Sequence, residues 1–302
     1  MTVVLVSCRE MPKPDLDAPA LAEALAARGI DAVTAAWDEP RDWAAAELVV
    51  LRTPWDYVER LDEFLPWVAS TGAVAHLANP AEVVAWNHHK RYLFDLEAAG
   101  VPIVPTRMVA QHAPFPFQRA VVRRFEGEVV IKPAVGIGAF GAARLEAGSE
   151  ESFAQVEALC LLGDVLVQPM VPSVATEGEV SMIYLGGEFS HAVRKRPAPG
   201  DYRVQDHHGG TVVEHVPTAA ERAVAEEALA AASLQAASLQ GASLQGDGAP
   251  LLYARVDLVD FAGPVVMELE LIEPELFLRR DPASAARLAD AVATRLAAQR
   301  LR

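Results

Sequence analysis

The sequence predicts an α/β (α+β) protein: a parallel strand–helix unit first, then a larger region of mixed and hairpin strands. Three observations carry this. Apolar strands alternate with helical stretches through residues 1–84, the order that builds a parallel sheet. Further on, apolar strands meet glycine-rich turns, at 136–141 and at Gly186-Gly187, as hairpins do. Near the C-terminus a strand ends in acids, Val-Val-Met-Glu268-Leu-Glu270-Leu-Ile-Glu273-Pro274.

Composition bounds the rest. A chain of 302 residues, 52% hydrophobic, can bury a core in two or three domains or subdomains. Its net charge of −15 argues against nucleic acid or an anionic membrane as partner. Small molecules remain, held by local basic sites. Cys8 and Cys160 stand far apart and offer neither a metal motif nor a disulfide framework, which fits a reducing cytoplasm. The opening run Met1–Arg9 lacks a basic leader or cleavage site and reads as a buried first strand, not a signal peptide. No apolar run reaches membrane-spanning length.

The elements follow in order. Residues 2–7 predict a strand, Leu16–Arg28 a helix stopped by Gly29, Ala32–Ala36 and Glu47–Arg52 two more strands, and Asp62–Ser70 a helix. Ligands of such sheets bind beyond the carboxyl ends of the strands. Arg9, Arg52, Trp55 and Tyr57 fall there, either as substrate contacts or as turn and packing residues. After Asn79-Pro80 one helix is expected to carry Trp86, Asn87 and Lys90 and to end at Gly100. Strands at Thr106–Val109 and Val129–Lys132 flank a helix around Phe117–Phe125, and Val165–Met170 is a further strand. Val180–Leu185 and Glu188–Val193 form a hairpin, and Thr218-Ala-Ala-Glu221 opens a helix with a capping box. Ala-Ser-Leu-Gln recurs every five residues from Ala232 to Gln245. Five does not match the helical period, so this stretch is expected to be an expanded connection. A terminal helix spans about Pro282–Ala298.

Four segments carry chemistry. Acids at Glu268 and Glu270, two apart on a strand, share one face. Buried like charges need a cation or basic neighbours. Asp257, on the neighbouring predicted strand 253–259, adds a third carboxylate, and three hard oxygen donors suit Mg²⁺. A solvent-facing acidic strand is the alternative. Lys132 precedes Gly136, Gly138 and Gly141, a turn whose amides and lysine suit phosphate, though neither the P-loop nor the Rossmann spacing is present. Gln168-Pro-Met170-Val171-Pro172 forms a proline-limited hinge that can face an adenine edge, and Glu179 can take ribose hydroxyls. An ordinary core strand is the rival reading. Arg194-Lys195-Arg196 leads into Arg203, Gln205, His207, His208, Gly209 and Gly210. This basic, polar loop can balance the acids and a phosphorylated substrate. Its histidines lack metal-site spacing.

Taken in order, these segments resemble the ATP-grasp superfamily. Lys90, Lys132 with its glycine turn, the Gln168–Val171 hinge, Glu179, and Asp257, Glu268 and Glu270 match its nucleotide and metal positions. The stretch Arg194–Gly210 resembles the basic loop of glutathione synthetase and of the glutamate-adding ligases of ribosomal protein S6. Leu51-Arg-Thr-Pro-Trp55-Asp-Tyr57, Trp86-Asn-His-His-Lys90 and Met267-Glu-Leu-Glu-Leu-Ile-Glu-Pro274 are similar to the cycloserine-forming ligase group. Glu270 and Gln205 each stand where the superfamily commonly has Asn.

The resemblance implies a fold and an activity. An N-terminal pre-ATP-grasp α/β domain would span 1–84. An ATP-grasp domain would span 85–302, with a lid subdomain at about 106–170, a C-terminal mixed-sheet subdomain at about 171–302 and a low-complexity insert at 232–248. The activity is an ATP-dependent carboxylate–amine ligase working through an acylphosphate. Lys90, Lys132, Gly136, Gly138, Gln168, Met170, Val171 and Glu179 would bind ATP. Asp257, Glu268 and Glu270 would bind two Mg²⁺ ions, with Mn²⁺ as alternative. Arg194 and Arg203 would act in catalysis. Arg9, Arg52, Trp55, Tyr57, Gln205, Gly209 and Gly210 would meet a small amino-acid-like substrate. A homodimer is the implied assembly. An intramolecular cyclo-ligase, a phosphotransferase that stops at a phosphorylated product, and a nucleotide-binding module without chemistry are the other readings.

Overall fold

The computed structural model describes residues 2–204, 209–240 and 250–300. Three sheets make up the molecule.

The first sheet is parallel, in the order β2-β1-β3-β4: β1 (Thr2–Ser7), β2 (Asp31–Ala36), β3 (Leu48–Thr53) and β4 (Leu77–Ala78). Its two faces are both covered, as a parallel sheet requires. Val3, Leu5, Leu48 and Val50 pack under α1 (Ala18–Ala26) through Leu21 and Leu25. Val4, Val6, Val49 and Leu51 pack with Phe64 and Val68 of α2 (Leu61–Val74) and with Trp37.

Two short helices follow, α3 (Ala81–Asn87) and α4 (Tyr92–Ala98). The single helix expected here is therefore interrupted, and Lys90 lies in the turn between the two pieces. Asn87 explains the break. Its side-chain amide donates to the Leu269 carbonyl at 2.9 Å and accepts from the Leu271 N–H at 2.9 Å. That pair ties the end of α3 to a distant strand and turns the chain.

The second sheet, antiparallel in the order β5-β8-β6-β7, comprises β5 (Arg107–Val109), β6 (Glu128–Pro133), β7 (Ala143–Glu146) and β8 (Val165–Pro169). α5 (Phe115–Val122) and α6 (Glu150–Cys160) cover one face around Ile131, Phe153 and Val167. Ser149 caps α6 by accepting from the Ser152 N–H at 3.1 Å.

The third sheet is antiparallel, β11-β10-β9-β12-β13. A short helix, α7 (Ser173–Thr176), leads into β9 (Glu179–Leu185) and β10 (Glu188–Arg196), joined at Gly186-Gly187, and then β11 (Thr211–Glu214). β12 (Tyr253–Asp260) and β13 (Pro264–Glu270) complete it. α8 (Ala219–Gln240) and α4 cover one face, through Ala225, Ala228 and Ala232 against Met182, Val256 and Leu269. α9 (Ser284–Arg300) covers the other, and its Leu288 and Val292 also reach Leu21 and Leu25 of α1. One apolar cluster thus fuses the first and third sheets.

α8 corrects the reading of the repeat. The expected connection is helical from Ala232 to Gln240. Buried alanines at 225, 228 and 232 keep helical spacing into the first repeat, and alanine is the strongest helix former. The last repeat lies outside the described residues.

Candidate active site

Strand alternation builds the site. On the β9–β10–β12–β13 surface, Asp257 pairs across with Glu268 and with Ser181, and Arg255 with Glu270. Lys195 pairs with Glu179. These side chains share the face that also carries Ile183, Val193 and Tyr253. Carboxylate oxygens of Asp257, Glu268 and Glu270 lie within 4.8 Å of one another. No other such group of metal-ligating side chains exists among the described residues.

Each acid has a cation. Lys90 Nζ stands 3.0 Å from Glu268 Oε1. Arg255 binds Asp257 through Nε and Nη2, both at 3.0 Å, and also pairs with Glu270. Lys195 Nζ bridges Asp257, at 3.2 Å, and Glu179. Ser181 Oγ donates to Asp257 Oδ1 at 2.5 Å.

The charges respond as their settings dictate. Burial works to raise Asp257, but Arg255 and Lys195 hold its carboxyl below the usual range. Glu268 is likewise held low by Lys90 and Lys132 against burial. Glu270 is pushed up to about 8 by burial, with Arg255 opposing and Glu268 and Asp257 adding to the rise. Burial lowers Lys132, with Glu268 opposing. A centre with three acids and one carboxyl held so high is charge-rich, and a divalent cation on these oxygens would relieve the repulsion.

The glycine turn folds over this centre. Lys90 donates from its N–H to the Ala134 carbonyl at 2.8 Å and from Nζ to the Gly136 carbonyl at 2.6 Å. Gly138 and Gly141 take φ of +60° and +72°, values that favour glycine. A Cβ on Gly141 would come 3.0 Å from Pro133.

The remaining predicted residues divide. Tyr57, on the loop after β3, is buried against Glu273, whose carboxyl is pushed up to about 7 by burial. Arg52 is buried at the end of β3 and donates to the Pro274 carbonyl at 3.5 Å. With Trp55 it lines a recess walled by Lys13, Thr53 and Glu275. Gln168 is buried, and its amide donates to Thr106 Oγ1 at 2.9 Å. The Met170 N–H donates to the Glu128 carbonyl at 2.8 Å, and Val171 is buried beside it.

Other predicted residues stand apart from the acids. Arg194 projects from the opposite face of β10, toward Glu221 at 3.4 Å and the Glu177 carbonyl at 3.2 Å. Arg203 is paired with Asp201 at 2.8 Å. Arg9 is exposed and paired with Asp38 at 3.5 Å. Gly209 and Gly210 lead into β11, with Gly209 at φ +81°. Gln205 lies outside the described residues.

Sequence reasoning passed over Arg255 and Ser181, and named Lys195 only as one of a basic stretch able to balance the acids. For Lys195 the usable signal is period two: only one of Arg194 and Lys195 can share a face with Glu179. For Arg255 it is the i, i+2 relation to Asp257.

Fold and centre together define an ATP-grasp ligase, an enzyme that couples ATP to amide formation. Residues 103–244 match the prokaryotic glutathione synthetase ATP-grasp domain, and residues 3–79 match the N-terminal domain of D-cycloserine synthetase DcsG. The cycloserine biosynthesis protein DcsG of Streptomyces lavendulae is 38% identical over 295 residues, 93% of this chain and 94% of that protein. The chain belongs to this D-cycloserine synthetase family of ATP-grasp ligases. The crystal structure of D-cycloserine synthetase DcsG is similar with a TM-score of 0.86 and 33% identity, covering 98% of this chain and 100% of that one. D-alanine–D-alanine ligase from Bacillus anthracis in complex with ATP shares the fold at a TM-score of 0.64 and 12% identity, covering 99% of this chain and 98% of that one. A RimK-domain ATP-grasp protein from Sphaerobacter thermophilus does so at 0.65 and 20%, covering 97% and 100%.

Proposed function

We propose that this ligase closes a ring within one amino-acid substrate, joining its carboxylate to a nitrogen on its own side chain. The carrying observation is the match of residues 3–79 to the D-cycloserine synthetase N-terminal domain. That domain supplies Arg52 and Tyr57 beside the shared ATP-grasp centre. The cycloserine ring is itself closed by an amide between a carboxyl carbon and an aminooxy nitrogen. Ligation between two molecules drew its support from the basic loop at 194–210, but Arg194 and Arg203 are each held in local ion pairs.

Lys90 and Lys132 hold the phosphates of ATP. Asp257, Glu268 and Glu270 would provide the oxygen donors for two Mg²⁺ ions, whose charge would offset that of the phosphates. The substrate carboxylate attacks the γ-phosphorus, the bond to the β-phosphate oxygen breaks, and ADP leaves. The side-chain nitrogen then attacks the acylphosphate carbon, phosphate departs, and the nitrogen loses its proton. Lys195 and Arg255 keep Asp257 ionised and fixed throughout. Such catalysis is positioning and electrostatics, and it needs no nucleophilic side chain.

The test offers Mg²⁺-ATP with amino acids bearing a terminal aminooxy or O-ureido group, alone and with a second amine. One ADP per cyclic product, without a second amine, is expected. ADP release that requires the second amine overturns cyclisation.

A further inference from the structure

We propose that Arg52 and Glu273 form a receptor for a zwitterion: Arg52 takes the substrate carboxylate and Glu273 its α-ammonium. This rests on the reading of an amino-acid substrate and assigns its two charges to two side chains.

The geometry begins at Tyr253. Its buried hydroxyl lies 2.6 Å from the Leu51 carbonyl and 2.9 Å from the Ile272 carbonyl. One side chain thus clamps the end of β3 against the segment after β13. The next residue on each is Arg52 and Glu273. They carry opposite charges, and both are buried, at 4% and 8% exposure.

Neither is neutralised by the other. Arg52 Nε is buried without a hydrogen-bond partner, and its Nη1 makes a single long contact to the Pro274 carbonyl. Its guanidinium otherwise lies over the Tyr253 ring, 5.8 Å from the centroid. Among the described residues no carboxylate pairs with it. A buried guanidinium with an idle N–H is costly unless an anion completes it. Glu273 faces the Tyr57 hydroxyl; Lys90 and Arg255 favour its charged form, but no cation stands within ion-pair distance of it among the described residues. A buried carboxylate of this kind suits an ammonium.

The same segment joins this pair to the reaction centre. Arg52 contacts the Pro274 carbonyl and Arg255 the Glu275 carbonyl, at 3.1 Å, while Arg255 also binds Asp257 and Glu270. Arg52 and Arg255 are therefore anchored on adjacent carbonyls of the segment that carries Glu273 and follows the metal-ligating acids. A substrate seated on Arg52 presents its carboxylate at the edge of the phosphate site.

The experiment measures binding by calorimetry, with a non-hydrolysable ATP analogue and Mg²⁺ present. The ligands are serine and O-ureidoserine, each as both enantiomers, with their methyl esters and N-acetyl derivatives. In the wild-type chain the free zwitterion of at least one should bind at least about tenfold more tightly than both its ester and its N-acetyl form. Arg52→Lys and Glu273→Gln should each weaken that zwitterion at least about tenfold, with nucleotide affinity and thermal midpoint unchanged. Glu273→Gln should also narrow the gap to the N-acetyl form. Equal binding of all three forms, or no binding of any zwitterion, overturns the receptor. Zwitterion binding with no ADP release from any of them leaves the receptor standing and overturns the cyclising reaction instead.

Discussion

Lys90 Nζ joins two elements that share no strand pairing: it stands 3.0 Å from Glu268 Oε1 and 2.6 Å from the Gly136 carbonyl. One ammonium thus binds the acidic strand to the glycine turn. Asn87, three residues earlier, sets its position by gripping Leu269 and Leu271 on either side of Glu270.

Glu268→Gln should abolish turnover without unfolding the chain. The amide keeps the shape and removes the charge that orients Lys90 and Lys132. Losing one such contact costs about 3 kcal/mol, roughly a hundredfold in rate. Lys90 keeps its bond to Gly136, so the far-UV spectrum and thermal midpoint should stay near wild type. Normal ADP release from the folded variant would remove Glu268 from the centre.

The strands, the Gly186-Gly187 hairpin and the three acids were legible because period-two alternation and acids at i, i+2 leave direct marks in a sequence. Lys90 was legible as a residue but not as a turn, because the helix is broken by long-range bonds from Asn87 to β13. Choosing between Arg194 and Lys195 needs the register of β9 against β10, which places Lys195 opposite Glu179. The placing of the Arg52 and Glu273 segments side by side depends on a tyrosine hydroxyl that clamps residues over 200 positions apart, and no local pattern carries it. The five-residue repeat misled because its mismatch with the helical period does not prevent a helix: buried alanines at 225, 228 and 232 carry α8 into the first repeat, and alanine favours the helix.

Lys195 and Arg194 should separate sharply on substitution. Lys195 is buried between Asp257 and Glu179. Lys195→Met leaves two buried carboxylates without their shared cation, a loss of about 3–5 kcal/mol. Arg194→Ala removes a partly exposed pair with Glu221, worth about 0–1 kcal/mol. Urea unfolding and ADP release on both variants check this. A larger loss of activity in Arg194→Ala than in Lys195→Met would return catalysis to Arg194.

His191 should make its own contribution to stability fall as pH drops below neutral, while the raised carboxyls of Glu270 and Glu273 act in the opposite direction. His191 is buried, and its Nε2 faces the Leu276 carbonyl at 3.1 Å, so that nitrogen donates. Its Nδ1 then accepts from Ser190 Oγ at 2.9 Å, and Arg287 Nε donates to the same hydroxyl at 3.0 Å. Burial lowers its folded pKa below the ordinary value, and Arg287 adds to this while Asp281 opposes. A base with a depressed folded pKa binds protons more readily when unfolded. Its stabilisation is complete above the unfolded pKa of about 6.5 and is lost as pH falls through and below it. The change in urea midpoint from pH 7.5 to 5.5 should be less destabilising in His191→Gln than in the wild type. His88 and His89 are depressed by burial too, so their share of the change should persist. The same change in the variant as in the wild type would exclude His191.

Gly178→Ala should cost far more than Gly200→Ala, although both glycines have similar positive φ, +89° and +85°. A side chain in that region costs about 1–2 kcal/mol by itself. At Gly200 a new Cβ meets nothing within 4 Å. At Gly178 it would come 2.2 Å from the Lys195 carbonyl oxygen, a backbone atom. The strand start must then move away from β10 where Glu179 pairs with Lys195. That shift adds about 1–3 kcal/mol of overpacking and also displaces the cation that holds Asp257. Gly178→Ala should therefore lower both the thermal midpoint and the affinity for Mg²⁺-ATP, and Gly200→Ala should lower neither by much. Equal effects from the two substitutions would mean that the close approach at Gly178 does not set the position of Lys195.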